Sequence, residues 1–386
     1  DRCADIADFA LEDGDTFDLD GEVLRVIHTP GHTNGGICLY SERSKLAFTG
    51  DTLFNIDLGR TDLEGGSEKR LRHTCREIID KWANDITVYP GHGDSCTMKF
   101  VRSFNEEFKK AVKPDIRLVA LDLDGTTLTA DKALTERTQA AFTAAIDKGV
   151  QIVVATGRAF SSIPENVLRV KGMEYIVTGN GATVLRLRDR KLLYSNFLDA
   201  QSVDGLMEIF RREGSLLEVF TGGTAYIQRS LLRSLDHRNF KPHHIAYIKE
   251  TRTPQDDIFA FMRAHQNAIE NINILFESQE ERARMRTVLE HVEDVTVTTS
   301  FDHNLEVGGK TTSKGDGIRF LTEMLNLRRE NVMACGDGLN DVKLFEFAGL
   351  PVAVDNAKPE LKALAKFVTA SNEEDGVAKA IEKFAL

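Results

Sequence analysis

Asp122 and Asp124, separated by one apolar residue, follow the run IRLVAL and precede Gly125-Thr126-Thr127. On a strand, residues i and i+2 point to the same side, so both carboxylates leave the strand end together. The Gly-Thr-Thr segment turns the chain and offers backbone N–H groups to an anion. A second strand-like run, NVMA, ends in Cys335-Gly336-Asp337-Gly338-Leu339-Asn340-Asp341 and supplies another carboxylate at a strand end. Mg2+ is satisfied by a few hard oxygen ligands and retained waters, so such a set suffices for it. A third run, VQIVVAT, ends in Thr156-Gly157-Arg158, where a hydroxyl and free N–H groups can hold a phosphoryl oxygen. Lys314, in TTSKGDGI, stands at a helix start with a compact charge suited to phosphate. Taken singly, each piece also reads as turn chemistry or, for Lys314, as a solvated side chain.

In this order, each at a strand-to-helix junction, the four pieces match DxDGTT, TGR, K and GDGxND, and from about residue 116 onward the chain resembles the haloacid dehalogenase superfamily. With Gly179-Asn180-Gly181-Ala182 after a fourth strand and a large insert before Lys314, it looks most like the Cof-type (class IIB) phosphatases with a C2 cap. The resemblance implies an α/β fold, a Rossmann-like parallel-sheet core with an inserted α/β cap. It implies that Asp122 attacks phosphorus to give an aspartyl-phosphate, and that Asp124 protonates the leaving alkoxide and then activates water, for which a raised pKa is expected. Mg2+ is expected between the Asp122 carboxylate, the Asp124 backbone carbonyl and Asp337. Leu123, Thr126, Thr156, Gly157, Lys314 and Asn340 are expected to cradle the phosphoryl group, with Asp341 orienting Lys314 or a metal-bound water and Asn180 in support. Relatives that keep a long-lived phospho-enzyme carry Thr at position 124, so Asp there implies rapid hydrolysis.

Before this region, His28-Thr29-Pro30-Gly31-His32-Thr33, Thr49-Gly50-Asp51-Thr52 and Tyr89-Pro90-Gly91-His92-Gly93 place two histidines and an aspartate at strand ends. These are Zn2+ ligand types. With Gly59 to Ser67 (GRTDLEGGS), the segment resembles the second half of a metallo-β-lactamase-fold hydrolase of the glyoxalase II type, a partial αββα unit. The resemblance implies His32 on a first metal, His92 on a second and Asp51 bridging. The HxHxDH motif that supplies the other ligands is absent, so Zn2+ binding is doubtful and no lactamase-type activity is expected.

The elements that must position these groups follow from the pattern. Strands EVLRVIHT, GGICLY, KLAFTGD and ITVYPGH, with helices over SEKRLRHTCREIIDKWA and TMKFVRSFNEEFKKAV, make a first domain over 1–112. Alternating strands and helices (135–148, 158–170 and the stretch after 314) give a parallel-sheet domain over 116–182 and 306–386. Residues 183–305, including the hairpin ATVLRLRDRKLLYSN, read as the cap. In the cap, Glu218, Phe220 and Tyr226 are candidates for facing substrate. His243 and His244, read as an extended segment, would point to opposite faces.

Net charge is −11, with 41% hydrophobic and 28% charged residues. That is a globular balance without the basic stripe nucleic acid needs, and no apolar run approaches a membrane span. Five scattered cysteines without a CxxC pair fit reduced thiols in the cytoplasm. The start at Asp1, already in mid-domain texture, suggests truncation of a longer bifunctional protein. The leading expectation is a Mg2+-dependent phosphatase of a small phosphorylated metabolite, a sugar phosphate or phosphorylated cofactor. The alternatives are a Zn2+-dependent thioester or ester hydrolase, and a non-catalytic scaffold; oligomeric state is not legible.

Overall fold

A computed structural model describes residues 10–386; Cys3 lies outside the described residues. The chain divides into two compact units, Asp1–Lys113 and Pro114–Leu386.

In the first unit, strands β1 (Thr16–Leu19), β2 (Glu22–His28), β3 (Ile37–Ser41), β4 (Leu46–Gly50), β5 (Thr87–Pro90) and β6 (Cys96–Thr97) form one sheet in sequence order. Alternation sends Cys38, Ala47 and Val88 into a core shared with Leu71, Cys75, Val101 and Phe108 from the helices. Phe48 and Tyr89, of opposite facing, stay exposed with their rings 5.3 Å apart. The helix expected over TMKFVRSFNEEFKKAV is two, Met98–Phe104 and Glu106–Val112. Asn105 breaks it: its extended backbone ends one helix, its Oδ1 caps the next at Phe108 N–H, and its Nδ2 donates to the carbonyls of Phe54 and Asp57.

In the second unit the strands run β7 (Leu118–Leu121), β8 (Gln151–Ala155), β9 (Tyr175–Thr178), β10 (Thr183–Arg186), β11 (Lys191–Ser195), β12 (Leu216–Thr221), β13 (Thr224–Gln228), β14 (Thr253–Gln255), β15 (Ile269–Leu275), β16 (Val295–Thr298), β17 (Asn304–Gly309), β18 (Val332–Gly336), β19 (Leu350–Ala353) and β20 (Phe367–Val368). The core sheet has the order β11-β10-β9-β8-β7-β18-β19-β20. From β9 to β20 all neighbours are parallel. Its central strand, LVAL, is apolar at every position because helices cover both faces: Leu118 and Ala120 join one buried cluster, Val119 and Leu121 the other.

The cap sheet has the order β14-β13-β12-β15-β17-β16. One face, with Val219, Ile272, Ile274, Leu305 and Val307, packs on apolar residues of its helices such as Leu206, Phe210 and Met285. The opposite face carries Phe220 and the polar Glu218, Asn271, Asn273, Asn304 and Glu306, all of them buried. It looks toward the core: Phe220 clusters with Ala159, and Glu306 accepts from Asn180. The two connections between core and cap run side by side, with Asn196 Nδ2 donating to Thr311 Oγ1 and Thr312 Oγ1 to the Asn196 carbonyl, each at 2.8 Å.

Several expected elements differ. The hairpin over 183–195, expected in the cap, extends the core sheet antiparallel to β9. β17 belongs to the cap sheet through Gly309, beyond the expected boundary at 305. The helix expected over 158–170 is a 3-10 turn at Phe160–Ser162 and a short helix at Glu165–Leu168, because Pro164 lacks the N–H to continue the first. His243 and His244 sit on the helix Pro242–Thr251, not on an extended segment, with their rings 4.3 Å apart. Tyr226 pairs across from Val219, so it points to the helix-covered side and stacks near Phe261 rather than facing the core. Among the described residues no helix is long and apolar enough to cross a membrane.

Candidate active site

Three neighbouring strands, β18, β7 and β8, end side by side where sheet order reverses direction from β7, the place where open α/β sheets bind ligands. Asp122 follows β7, and its N–H continues the ladder to the Cys335 carbonyl of β18. Leu123 turns its side chain into the core, and its carbonyl accepts from Thr127 and Leu128 N–H at 3.0 and 2.9 Å. The chain can turn at Gly125 because its φ is +79° and a Cβ there would meet Asp337 Oδ2 at 2.6 Å.

Asp122, Asp337 and Asp341 bring carboxylate oxygens within 4.8 Å of one another. Lys314 Nζ lies 2.6 Å from Asp122 Oδ1 and 2.7 Å from Asp341 Oδ1, with its side chain wholly buried. Lys314 occupies the first turn of the helix Lys314–Met324, where the helix dipole disfavours a cation, so the carboxylates must hold it. Asp341 uses its second oxygen for the N–H groups of Asp337 and Gly338, both at 3.1 Å. Thr126 Oγ1 donates to Asp337 at 2.8 Å.

Burial pushes Asp122 well above the usual carboxylate range; Lys314 opposes this, while Asp341 and Asp337 add to it. Asp337 is raised to about 6 by burial and then by Asp341, against the hydrogen bond from Thr126. Burial disfavours the Lys314 cation, but Asp122 and Asp341 outweigh it and keep it charged. With all three carboxylates ionised, one ammonium would leave this buried corner with two uncompensated negative charges, which is why Asp122 and Asp337 hold their protons more tightly. A divalent cation with a preference for oxygen restores neutrality, and the donor set fits Mg2+.

A test of that fit follows from Asp337. Its native pKa lies above the unfolded value of 3.8, so the metal-free fold holds that proton more tightly and loses stability as pH climbs from about 4 through 6. Mg2+ binds the ionised form and offsets that loss. The gain in denaturation midpoint on adding Mg2+ is expected to be small at pH 5 and larger at pH 7. A gain independent of pH would remove Asp337 from the metal's ligands.

The remaining expected residues form a second cluster. Asn340 Nδ2 donates to Asn180 Oδ1 at 3.1 Å, and Asn180 Nδ2 to Glu306 of the cap at 2.8 Å. Asn180, in the left-handed region at φ 55°, is fixed by its N–H on the Thr156 carbonyl. Thr156 is buried with Oγ1 accepting from Arg158 N–H. A Cβ at Gly157 would crowd Asn180 Oδ1 at 2.9 Å.

Asp124 departs from expectation. Its carboxylate takes a two-pronged ion pair from Arg158, both bonds 2.7 Å, and a third bond from Lys132 at 2.7 Å. Burial pushes its pKa up, but Arg158 and Lys132 outweigh that and hold it at about 2, not raised. Arg158 also lies 5.1 Å from the Tyr247 ring of the cap, and Arg252, paired with buried Glu218, approaches the same ring at 4.8 Å. From sequence, Arg158 is named within its motif without a role, and Lys132, Glu306 and Ser300, whose Oγ donates to Glu306 at 2.6 Å, are not singled out. Only the position of Arg158 directly after Thr156-Gly157 was a local signal.

In the first unit, His32 Nε2 lies 3.7 Å from Asp51 Oδ2, and His92 Nε2 3.5 Å from Asp51 Oδ1. His32 Nδ1 pairs with the Arg60 carbonyl at 2.7 Å, which leaves Nε2 for a ligand. Each carboxylate oxygen faces a different histidine, so each metal position would have two protein ligands, below the three or four of Zn2+ sites. Among the described residues, those present do not complete a zinc centre.

Residues 119–381 match the family model of haloacid dehalogenase-like hydrolases, and residues 4–92 that of the metallo-beta-lactamase superfamily. Phosphatase YwpJ of Bacillus subtilis (strain 168) is 30% identical over 282 residues, covering 68% of this chain and 98% of that protein. The 5-amino-6-(5-phospho-D-ribitylamino)uracil phosphatase YcsE of the same organism is 31% identical over 276 residues, covering 70% and 97%. A solved haloacid dehalogenase-like hydrolase from B. subtilis aligns with a TM-score of 0.61 at 28% identity, over 69% of this chain and 99% of that one. With these matches running almost end to end over the second unit, the chain belongs to the haloacid dehalogenase-like hydrolases as a Cof-type, class IIB phosphatase, preceded by a metallo-β-lactamase segment.

Proposed function

We propose that the second unit hydrolyses a small phosphorylated metabolite, a sugar phosphate or phosphorylated cofactor, in the cytoplasm through an aspartyl-phosphate on Asp122. The observation that carries this reading is the buried cluster of Asp122, Lys314, Asp341 and Asp337 at adjoining strand ends. Lys314 fixes the Asp122 carboxylate through Oδ1, which orients it for in-line attack on phosphorus. Asp341 in turn orients Lys314, and Thr126 orients Asp337. Asp122, the Asp124 carbonyl and Asp337 would hold Mg2+, which would supply charge cancellation between nucleophile and phosphate. Thr156, Gly157, Lys314 and Asn340, with backbone at Leu123 and Thr126, surround the transferring oxygens, where electrostatic stabilisation acts. Asp124 then protonates the leaving oxygen and later deprotonates water. For the first task it must leave the grip of Arg158 and Lys132, and the phosphoryl oxygens are the competing anion for both cations. Buried Cys38, Cys75 and Cys335 are free thiols, in keeping with a reducing compartment.

The experiment is Mg2+-dependent phosphate release from p-nitrophenyl phosphate and a panel of sugar phosphates, including the phosphoribityl compound named for YcsE. Asp124→Asn is expected to lower kcat on alkyl phosphates by about 10²–10⁴-fold, the usual contribution of a general acid–base. On p-nitrophenyl phosphate, whose leaving group needs little protonation, the loss should be smaller. Equal losses on both would take the acid role away from Asp124.

A further inference from the structure

The end of cap strand β15 carries two consecutive buried acceptors that no group among the described residues satisfies. β15 pairs with β12 so that Asn271 lies opposite Phe220 and Ile269 opposite Thr221, leaving Glu270 as the extra residue of a bulge. A bulge bends its strand and re-aims side chains, and bulges gather beside active sites. Glu270 and Asn271 are 2% and 1% exposed. Among the described residues, nothing donates to Glu270 Oε2 or Asn271 Oδ1. Glu270 is anchored by its other oxygen, which accepts from Gly223 N–H at 2.7 Å. Leaving a buried polar group without a partner is costly, so two in succession mark a place built to receive a polar ligand.

Their neighbours locate that place. Asn271 shares a sheet face with Phe220, which clusters with Ala159 beside Arg158 and lies 5.4 Å from the Arg252 guanidinium. Arg252 and Arg158 flank the Tyr247 ring, and Arg158 holds Asp124. Glu270 Oε2 would be 3.8 Å from a Cβ on Gly179, next to Asn180. The acceptors therefore border the loop of Asn180 and the Asp124–Arg158 pair from the cap side, where an alcohol leaving phosphorus and protonated by Asp124 extends.

We propose that Asn271, with Glu270 beside it, receives hydroxyl groups of the leaving alcohol, so that the enzyme selects phosphate esters of polyols and sugars over those of hydroxyl-free alcohols. This rests on the phosphatase reading above. A hydroxyl both donates and accepts, which matches an amide carrying Oδ1 and Nδ2 and gives Glu270 Oε2 its missing donor. Sites built to bond a hydroxyl discriminate strongly against analogues lacking it, because their own polar groups are then left unpaired.

The test compares kcat/KM for ribitol 5-phosphate, pentyl phosphate and p-nitrophenyl phosphate in wild type, Asn271→Leu and Asn271→Ser. Wild type should prefer the ribitol ester over the pentyl ester by about 100-fold or more. Asn271→Leu should lower kcat/KM for ribitol 5-phosphate by about 10–100-fold and change p-nitrophenyl phosphate by less than about twofold. Its melting temperature should not fall, since no protein hydrogen bond is lost. Asn271→Ser, which is smaller, should lose the same preference, which guards against a packing fault in the leucine variant. An unchanged preference in both variants, or equal losses on all esters, would overturn the proposal and leave the amide as the holder of a water. A wild type inactive on every ester would instead overturn the phosphatase reading, and this proposal with it.

Discussion

Asp122→Asn is expected to lower phosphate release by about 10⁴-fold or more, comparable to removing a nucleophile elsewhere, while leaving the fold intact. The two effects separate because of where the charge sits. Asn keeps the shape and one carbonyl oxygen for Lys314, and the ammonium retains Asp341 at 2.7 Å. The metal-free site also holds more carboxylate than cation, so removing one charge relieves repulsion from Asp337 and Asp341. Denaturation should therefore show unchanged or higher stability beside abolished turnover. Turnover that survives in a folded, Mg2+-loaded Asp122→Asn protein would end the covalent mechanism.

Lys314→Met should act in the opposite sense on stability. It removes the one cation bonded to both Asp122 and Asp341 and leaves those buried carboxylates facing Asp337 alone. Breaking a buried pair by deleting one partner typically costs about 3–5 kcal/mol. At pH 5 the cost should shrink, because Asp337, raised to about 6, then carries its proton and relieves the repulsion. Urea denaturation at pH 5 and pH 7, with wild type alongside, reads this directly. A cost of under about 1 kcal/mol at pH 7, the level of an exposed pair, would mean that Lys314 is not the charge holding this corner together. Turnover should fall by about 10²–10³-fold as well, the loss expected when one preorganised donor is removed from a reacting oxyanion.

The residues that meet in this corner were legible because each signal was local. Strand alternation alone puts Asp122 and Asp124 on one side of buried Leu123, and the Gly-rich turn after β18 brings Asp337 beside them once β7 and β18 pair. What was not legible depends on partners far away in sequence. Asp124 looked like a free acid until Arg158 and Lys132 closed on it. The hairpin over 183–195 has the texture of cap strands, and only its ladder to β9 assigns it to the core. Tyr226 changed faces because its register opposite Val219, not its composition, decides direction. Asn271 carried no local signal: only the placement of its strand between β12 and β17 shows it buried.

The paired connections at Asn196 and Thr311-Thr312 give the cap the geometry of an insertion whose ends meet at one point. A module with adjacent ends can be exchanged without stretching its host. The host here, from β7 to β11 and from Lys314 onward, contains Asp122, Asp124, Asp337, Asp341 and Lys314. On the reading proposed above, phosphoryl chemistry and choice of alcohol lie on separable pieces of chain, and replacing the residues between 196 and 311 is expected to change what the enzyme recognises while leaving its chemistry where it is.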